Sequence, residues 1–307
     1  MFILKPDPYL MPSYRISPFT TVDISLNHNL PDNDCINDYF SERFSGKKYN
    51  YTLNGREAIN LALSHYHLQK DDVVTIITTS GNFYISGCVT SEIEKYCKWS
   101  RIIGPGTKLI LVNHEFGYPY ADLLNLKKTG IPIIEDCAHS FFSNDKKNTI
   151  GTLGDFAIYS FPKMFPLQIG GLLVNNMDCK PRNSKHLDKK QKQYIKNVLS
   201  YYIKRKEEII EKHLANYAYL STVFKTIGLP ERFTPATGTV PGVFIFRKGK
   251  HQFDLTELKK HFYAQGIQCS VFYGEESFFI PVHQALHKSD LDYFLEVMKS
   301  FIKNSMI

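Results

Sequence analysis

Ile133-Ile134-Glu135-Asp136-Cys137-Ala138-His139 is the stretch whose reading decides the fold. Apolar β-branched residues that run straight into a pair of acids describe a buried strand ending at a polar edge. Ligands in open α/β sheets bind outside the carboxyl ends of the strands, so a carboxylate at that edge is placed for chemistry. In isolation Asp136 could equally cap the following turn, and His139 could be a packed loop histidine.

Further along, Ser160-Phe-Pro-Lys163-Met-Phe-Pro holds one lysine among aromatic and proline residues with no acid nearby, and Gly170-Gly171 follows. Desolvation in such a setting favours the neutral amine. Snorkelling at the surface is the commoner fate of a lysine. The glycine pair reads as a turn into a returning strand, Leu172–Val174.

On either side of this stretch, apolar runs suited to buried strands occur at Val73–Thr78, Lys108–Asn113, Ile131–Glu135 and Phe156–Ser160. They alternate with helical patterns. Ile59, Ala62, Leu63 and Tyr66 mark one buried stripe over Arg56–Leu68. This predicts a mainly parallel sheet covered on both faces. Asn54-Gly55-Arg56 opens that helix, where first-turn N–H groups and the helix dipole suit a phosphate, although ordinary capping by Asn54 explains the same residues. Gly81-Asn82-Phe83-Tyr84 follows a strand, which puts an aromatic ring just past its end; His114-Glu-Phe-Gly117 follows another.

Residues 186–228 read as one long charged helical stretch, with Gly228 and Pro230 as stop signals and a hinge at that point. Gly242–Arg247 and Ile267–Tyr273 follow as strands. Asp254–Gln265 and Ser289–Ile302 follow as amphipathic helices, capped by Asp254 and Ser289. The expected organisation is a large domain over 1–228 and a small α+β domain over 229–307.

At 307 residues and 43% apolar, the chain fits a globular protein and shows neither disordered nor fibrous composition. Six cysteines lie at 35, 88, 97, 137, 179 and 269 without metal spacing, which points to reduced packing residues and no metal site. The net charge of +7 is concentrated partly in 180–206. A solvated helical face explains it, and an anion-attracting rim is the alternative. No run reaches the roughly 20 apolar residues of a membrane span, and Met1–Pro8 is too short an apolar start for a leader. A cytoplasmic protein that binds neither membrane nor nucleic acid is expected.

One carboxylate, one isolated amine and a tight backbone turn are what pyridoxal 5'-phosphate (PLP) demands. Its ring nitrogen needs an acid partner and its aldehyde needs a lysine. Asp136 and Lys163 are the candidates.

Taken in order, Asn-Gly-Arg-Glu-Ala, Phe-Tyr-Ile-Ser, His-x-x-Gly, Ile-Glu-Asp-Cys-Ala-His, Gly-x-Leu-Gly-Asp-Phe-Ala, Ser-Phe…Lys and Gly-Gly resemble the DegT/DnrJ/StrS family of PLP-dependent sugar aminotransferases. The resemblance covers 50–175 closely and 236–302 loosely, through Val240-Pro-Gly and Phe279-Ile-Pro-Val-His283. It implies a PLP-dependent transferase of fold type I, with a mainly parallel seven-stranded sheet and a small C-terminal α+β domain, assembled as a homodimer. It makes Lys163 the residue that bonds the cofactor aldehyde and Asp136 the partner of the pyridine nitrogen. His139 is implied beside the ring, Tyr84 stacked on it, and Gly55, Arg56 and Ser160 at the phosphate. It also implies an amino-acid donor such as glutamate and a nucleotide-linked keto-sugar acceptor, in surface-polysaccharide or modified-sugar synthesis. Related sugar dehydratases carry a histidine in place of the lysine, and Lys163 argues against that reaction. The alternative is a degenerate relative that binds PLP or a sugar nucleotide without transaminase activity.

Overall fold

A computed structural model describes residues 13–145, 149–177 and 186–305 of the chain. The apolar start Met1–Pro8, Cys179 and the basic Lys180-Pro-Arg182 lie outside the described residues. Seven strands, β1 (Lys48–Thr52), β2 (Val73–Thr78), β3 (Lys98–Ser100), β4 (Thr107–Asn113), β5 (Ile133–Asp136), β6 (Phe156–Ser160) and β7 (Gly171–Asn175), form one sheet in the order β1-β7-β6-β5-β4-β2-β3. Only β7 runs antiparallel to its neighbours within that sheet; the remaining pairings are parallel. The mainly parallel seven-stranded sheet expected from the sequence is therefore present, and β7 is the strand that returns from the Gly170-Gly171 turn.

Helices α1 (Val22–His28), α2 (Cys35–Arg43), α3 (Gly55–Leu63), α4 (Gly87–Glu94), α5 (Leu123–Lys127), α6 (Lys189–Ile203) and α7 (Lys206–Lys225) accompany it. Side chains alternate across a strand, and the cores record that alternation. Phe156 and Ile158 of β6, with Leu173 of β7, pack on Ala58, Ile59 and Ala62 of α3. Ala157 and Tyr159 of β6, with Leu172 and Val174 of β7, pack on Ile36 and Phe40 of α2 and Ile195 and Val198 of α6. Near-continuous apolar runs were thus the mark of strands buried on both faces.

A second sheet of β8 (Phe244–Arg247), β9 (Ser270–Phe272) and β10 (Ser277–Ile280) is antiparallel in the order β8-β10-β9. Leu220 and Phe224 of α7, Leu258 and Phe262 of α8 (Leu255–Ala264) and Phe294 of α9 (Lys288–Asn304) close its core with Phe244, Phe246 and Phe278. Tyr14 ties the N-terminal segment to this unit, donating to Gly266 O at 2.9 Å and accepting from Gln268 N at 2.8 Å.

Several boundaries differ from expectation: α3 ends at Leu63 where Leu68 was expected, and β9 is confined to Ser270–Phe272. The charged stretch after residue 186 is two helices, broken where Arg205 leaves helical geometry (φ −111°, ψ 23°) and its guanidinium turns back onto Glu208 at 2.7 Å. No glycine or proline marks that break. The last helix begins at Lys288 with His287 as its cap, because Asp290 accepts the His287 N–H at 2.8 Å; Ser289 lies inside the first turn. Asp254 caps α8 as expected, accepting from Thr256 N at 2.6 Å and Glu257 N at 2.9 Å. Strands β1, β3 and β10 had no clear pattern of their own.

Candidate active site

The parallel strands deliver their carboxyl ends to one edge of the sheet, and parity decides which side chains face α3. Asp136 lies two residues beyond Ile134, whose side chain packs in the α3 core, so Asp136 points to the same face. Glu135 between them points to the other. In register with Asp136, Asn113 ends β4. Asn113 Nδ2 donates to Asp136 Oδ2 at 2.8 Å, and Ala138 N donates to Oδ1 at 3.0 Å. Burial nevertheless pushes the Asp136 carboxyl above its usual range, against those two donors, His114 and Lys163.

Lys163 closes a single 3-10 turn, Phe161–Lys163, set between the paired ends of β6 and β7. The turn is pinned by Phe161 N donating to Gly170 O at 3.1 Å and Phe165 N donating to Phe161 O at 2.8 Å. Gly171 has no room for a side chain: a Cβ there would lie 2.6 Å from Thr52 Oγ1 and 2.7 Å from the Asn54 carbonyl carbon. That close approach seats the start of α3 against the lysine loop. Burial lowers the Lys163 amine below the ordinary lysine range, while Cys88 and Asp136 raise it. A buried acid and a buried amine whose charged forms are both disfavoured mark a site held ready for another group.

Asn54 caps α3, its side chain accepting from Glu57 N at 3.0 Å. The first-turn N–H groups of Gly55 and Arg56 thus face the same space, without intrahelical partners. His139 sits edge-on to Phe116 at 5.2 Å between ring centroids, and its Nδ1 is buried without a hydrogen-bond partner. Burial drives its pKa well down, with the Lys163 charge adding to the effect. Gly242 backs it so closely that a Cβ would meet His139 Nδ1 at 2.6 Å. Tyr84 packs among Phe116, Phe272, Tyr273 and Phe279 at 5.4–6.4 Å.

Gly55, Arg56, Tyr84, Asp136, His139, Ser160 and Lys163 all line one cavity of about 260 Å³. Every site residue read from the sequence is therefore brought to one place. Sequence reading missed Asn113, Cys88, Ile16 and Phe279, which line it too. Asn113 had a visible signal, a polar residue ending an apolar strand. Ile16 and Phe279 had none, since long-range packing brings them there.

Glu135 and His114 stand behind the cavity. Glu135 Oε1 accepts from Leu153 N (2.9 Å) and Gly154 N (2.7 Å), and Oε2 accepts from Gly151 N (2.8 Å) and His114 Nε2 (3.1 Å). His114 Nδ1 in turn accepts from Tyr120 N at 3.0 Å. His114, Glu135 and Cys137 bring three donor atoms within 4.8 Å of one another. The carboxylate is already filled by four donors, so the cluster reads as a clamp on the 151–154 loop. Glu135→Ala should lower the unfolding free energy by about 3–5 kcal/mol, the cost of breaking a buried charged network. Urea denaturation checks this, and a loss below about 1 kcal/mol contradicts the clamp.

Residues 95–191 match the profile of the DegT/DnrJ/EryC1/StrS aminotransferase family. Over that stretch the chain is similar to the family. A Micromonospora echinospora protein assigned as L-glutamine:3-amino-2,3-dideoxy-scyllo-inosose aminotransferase is 30% identical over 168 residues, which are 47% of this chain and 40% of that relative. The match thus spans less than half the relative's length. Among solved structures, the aminotransferase TlmJ from Streptoalloteichus hindustanus superposes with a TM-score of 0.72 at 16% identity, covering 93% of this chain and 95% of that one. The PLP form of a Streptococcus pneumoniae protein assigned as sugar aminotransferase Spr1654 gives 0.69 at 16% identity, covering 97% and 99%. Escherichia coli GDP-4-keto-6-deoxy-D-mannose-3-dehydratase gives 0.68 at 15%, covering 94% and 100%. At such identities these likenesses establish the fold alone.

Proposed function

We propose that this DegT/DnrJ/EryC1/StrS-family chain is a PLP-dependent aminotransferase. In this reading it moves an amino group from an amino acid such as glutamate to a keto-sugar carried on a nucleotide, in surface-polysaccharide or modified-sugar synthesis. The observation that carries the reading is the convergence of Lys163, Asp136 and the α3 N-terminus on one cavity. An unpartnered His139 Nδ1 in its wall adds to the fit.

Bound there, PLP supplies an electron sink for the charge that develops when a bond to the amino-acid carbon breaks. Lys163 Nζ, favoured as the neutral amine, would bond the cofactor aldehyde and would be the group to carry the substrate proton. Asp136 would hold the ring nitrogen in its protonated form. The N–H groups of Gly55 and Arg56, with Ser160, would take the phosphate. Tyr84 and His139 would hold the ring. Residues 1–228 form the cofactor-holding part in this reading, and 229–307 the smaller cap.

A homodimer in the cytoplasm completes the proposal. Among the described residues no helix is long and apolar enough to cross a membrane. Phe83 (70% exposed) and Ile102 (78% exposed) offer apolar surface suited to a second copy.

The test is an absorbance titration with PLP, followed by glutamate. The expected result is a protein-bound cofactor band that glutamate converts to the pyridoxamine form. Binding without any amino-acid response identifies a binding protein instead, and no binding removes the cofactor from the account.

A further inference from the structure

We infer that Asn113 is a positioning residue that holds Asp136 in its ionised, cavity-facing form, so that it sets the lower pH limit of cofactor binding. The inference rests on the proposed PLP site and goes beyond it, because the family resemblance assigned Asn113 no part.

The backbone makes the pairing obligatory. Asn113 and Asp136 are register partners at the ends of adjacent parallel strands, so their side chains stand side by side on the α3 face. Asn113 Nδ2 takes one carboxylate oxygen at 2.8 Å and the backbone of Ala138 takes the other at 3.0 Å. The carboxylate is thereby fixed at both oxygens, and each keeps a lone pair for a cavity-facing donor. An amide that donates to an acceptor-only carboxylate stabilises the charged form of a group that burial would otherwise neutralise. Asn113 is the only side chain among the described residues to which a hydrogen bond with Asp136 is assigned. Two other groups act on Asp136 through charge, His114 from the loop after β4 and Lys163 from the turn after β6; of its own strand and loop, Glu135 points to the opposite face, and burial holds the Cys137 thiol and the His139 ring in their neutral forms. None of these replaces a neutral donor, whose effect does not depend on its own titration.

The test compares wild type with Asn113→Leu, which keeps the bulk and removes the donor. PLP affinity is measured by absorbance or fluorescence titration across the acid range. The acid limb of the affinity profile should move to higher pH by about one unit, the worth of one hydrogen bond to a charged group, with little change on the alkaline side. A PLP analogue with carbon in place of the ring nitrogen serves as the control, and with it the two proteins should bind alike at every pH. Asn113→Gln should recover part of the shift. Equal weakening at all pH values, or an equal loss with the analogue, overturns the inference by showing a direct or merely structural contact. If wild type does not bind PLP, the proposed function fails first. If wild type binds and Asn113→Leu keeps the same profile, only this inference fails. Circular dichroism at each pH separates an unfolded variant from a shifted one, and Asn113→Ser then carries the comparison.

Discussion

Lys163→Ala protein titrated with PLP is expected to lack the protein-bound cofactor band of wild type, and to lose transaminase turnover by about 10⁴-fold, the upper end for a positioned proton carrier. Among the described residues no other lysine lines the cavity. The environment tunes this one. Burial disfavours its ammonium form more strongly than Cys88 and Asp136 restore it, and the reactive amine therefore forms below the pH at which an ordinary lysine deprotonates. PLP uptake should accordingly rise with pH and level off below the ordinary lysine range. A variant that keeps the band, or uptake that climbs through that whole range, contradicts the assignment.

Asp136→Asn carries the second large effect. The shape survives and the charge does not, so in the proposed site the ring nitrogen would lose the partner that keeps it protonated. Turnover should fall by about 10²- to 10⁴-fold. The same change should act in the opposite direction on the cofactor-free fold. Burial raises the Asp136 pKa in the folded protein, so the unfolded chain releases this proton at lower pH, and ionised Asp136 costs stability at neutral pH. The asparagine variant should therefore melt at or above the wild-type temperature at neutral pH. That advantage should fade as the pH falls through the folded-state value towards the unfolded carboxyl range. Thermal melts across the acid range check the sign; a variant less stable at neutral pH contradicts it.

The two results together describe a stability cost held at a functional site. The fold places an acid and an amine where both charges are disfavoured, and a cationic ring and an aldehyde are what would relieve them.

Some of this was legible residue by residue. Val73–Thr78 and Phe156–Ser160 appear as strands with the bounds read from their apolar runs, because strands buried on both faces need uninterrupted apolar sequence. Asn54 and Asp254 act as caps, since capping is a local contest between a side chain and the nearest N–H groups. The short strands β1, β3 and β10 were not legible. Lys48–Thr52 alternates weakly, and it is a strand because β7 offers it a partner. The break at Arg205 was hidden for a related reason, as no local breaker marks it.

In the site, order along the chain carried the proposal of Asp136, His139, Ser160 and Lys163, because their spacing is local to one strand, one turn and one returning strand. Sequence alone carried the resemblance to the family, the mainly parallel sheet and the residue types offered to a ligand, all of which depend on short-range pattern. Tertiary structure alone decided that Gly55 and Tyr84 line one cavity with Lys163, that Glu135 turns away to clamp the 151–154 loop, and that Asn113 is joined to Asp136. Those facts depend on strand order and register, which are settled by how separate segments pack, and no local periodicity encodes them.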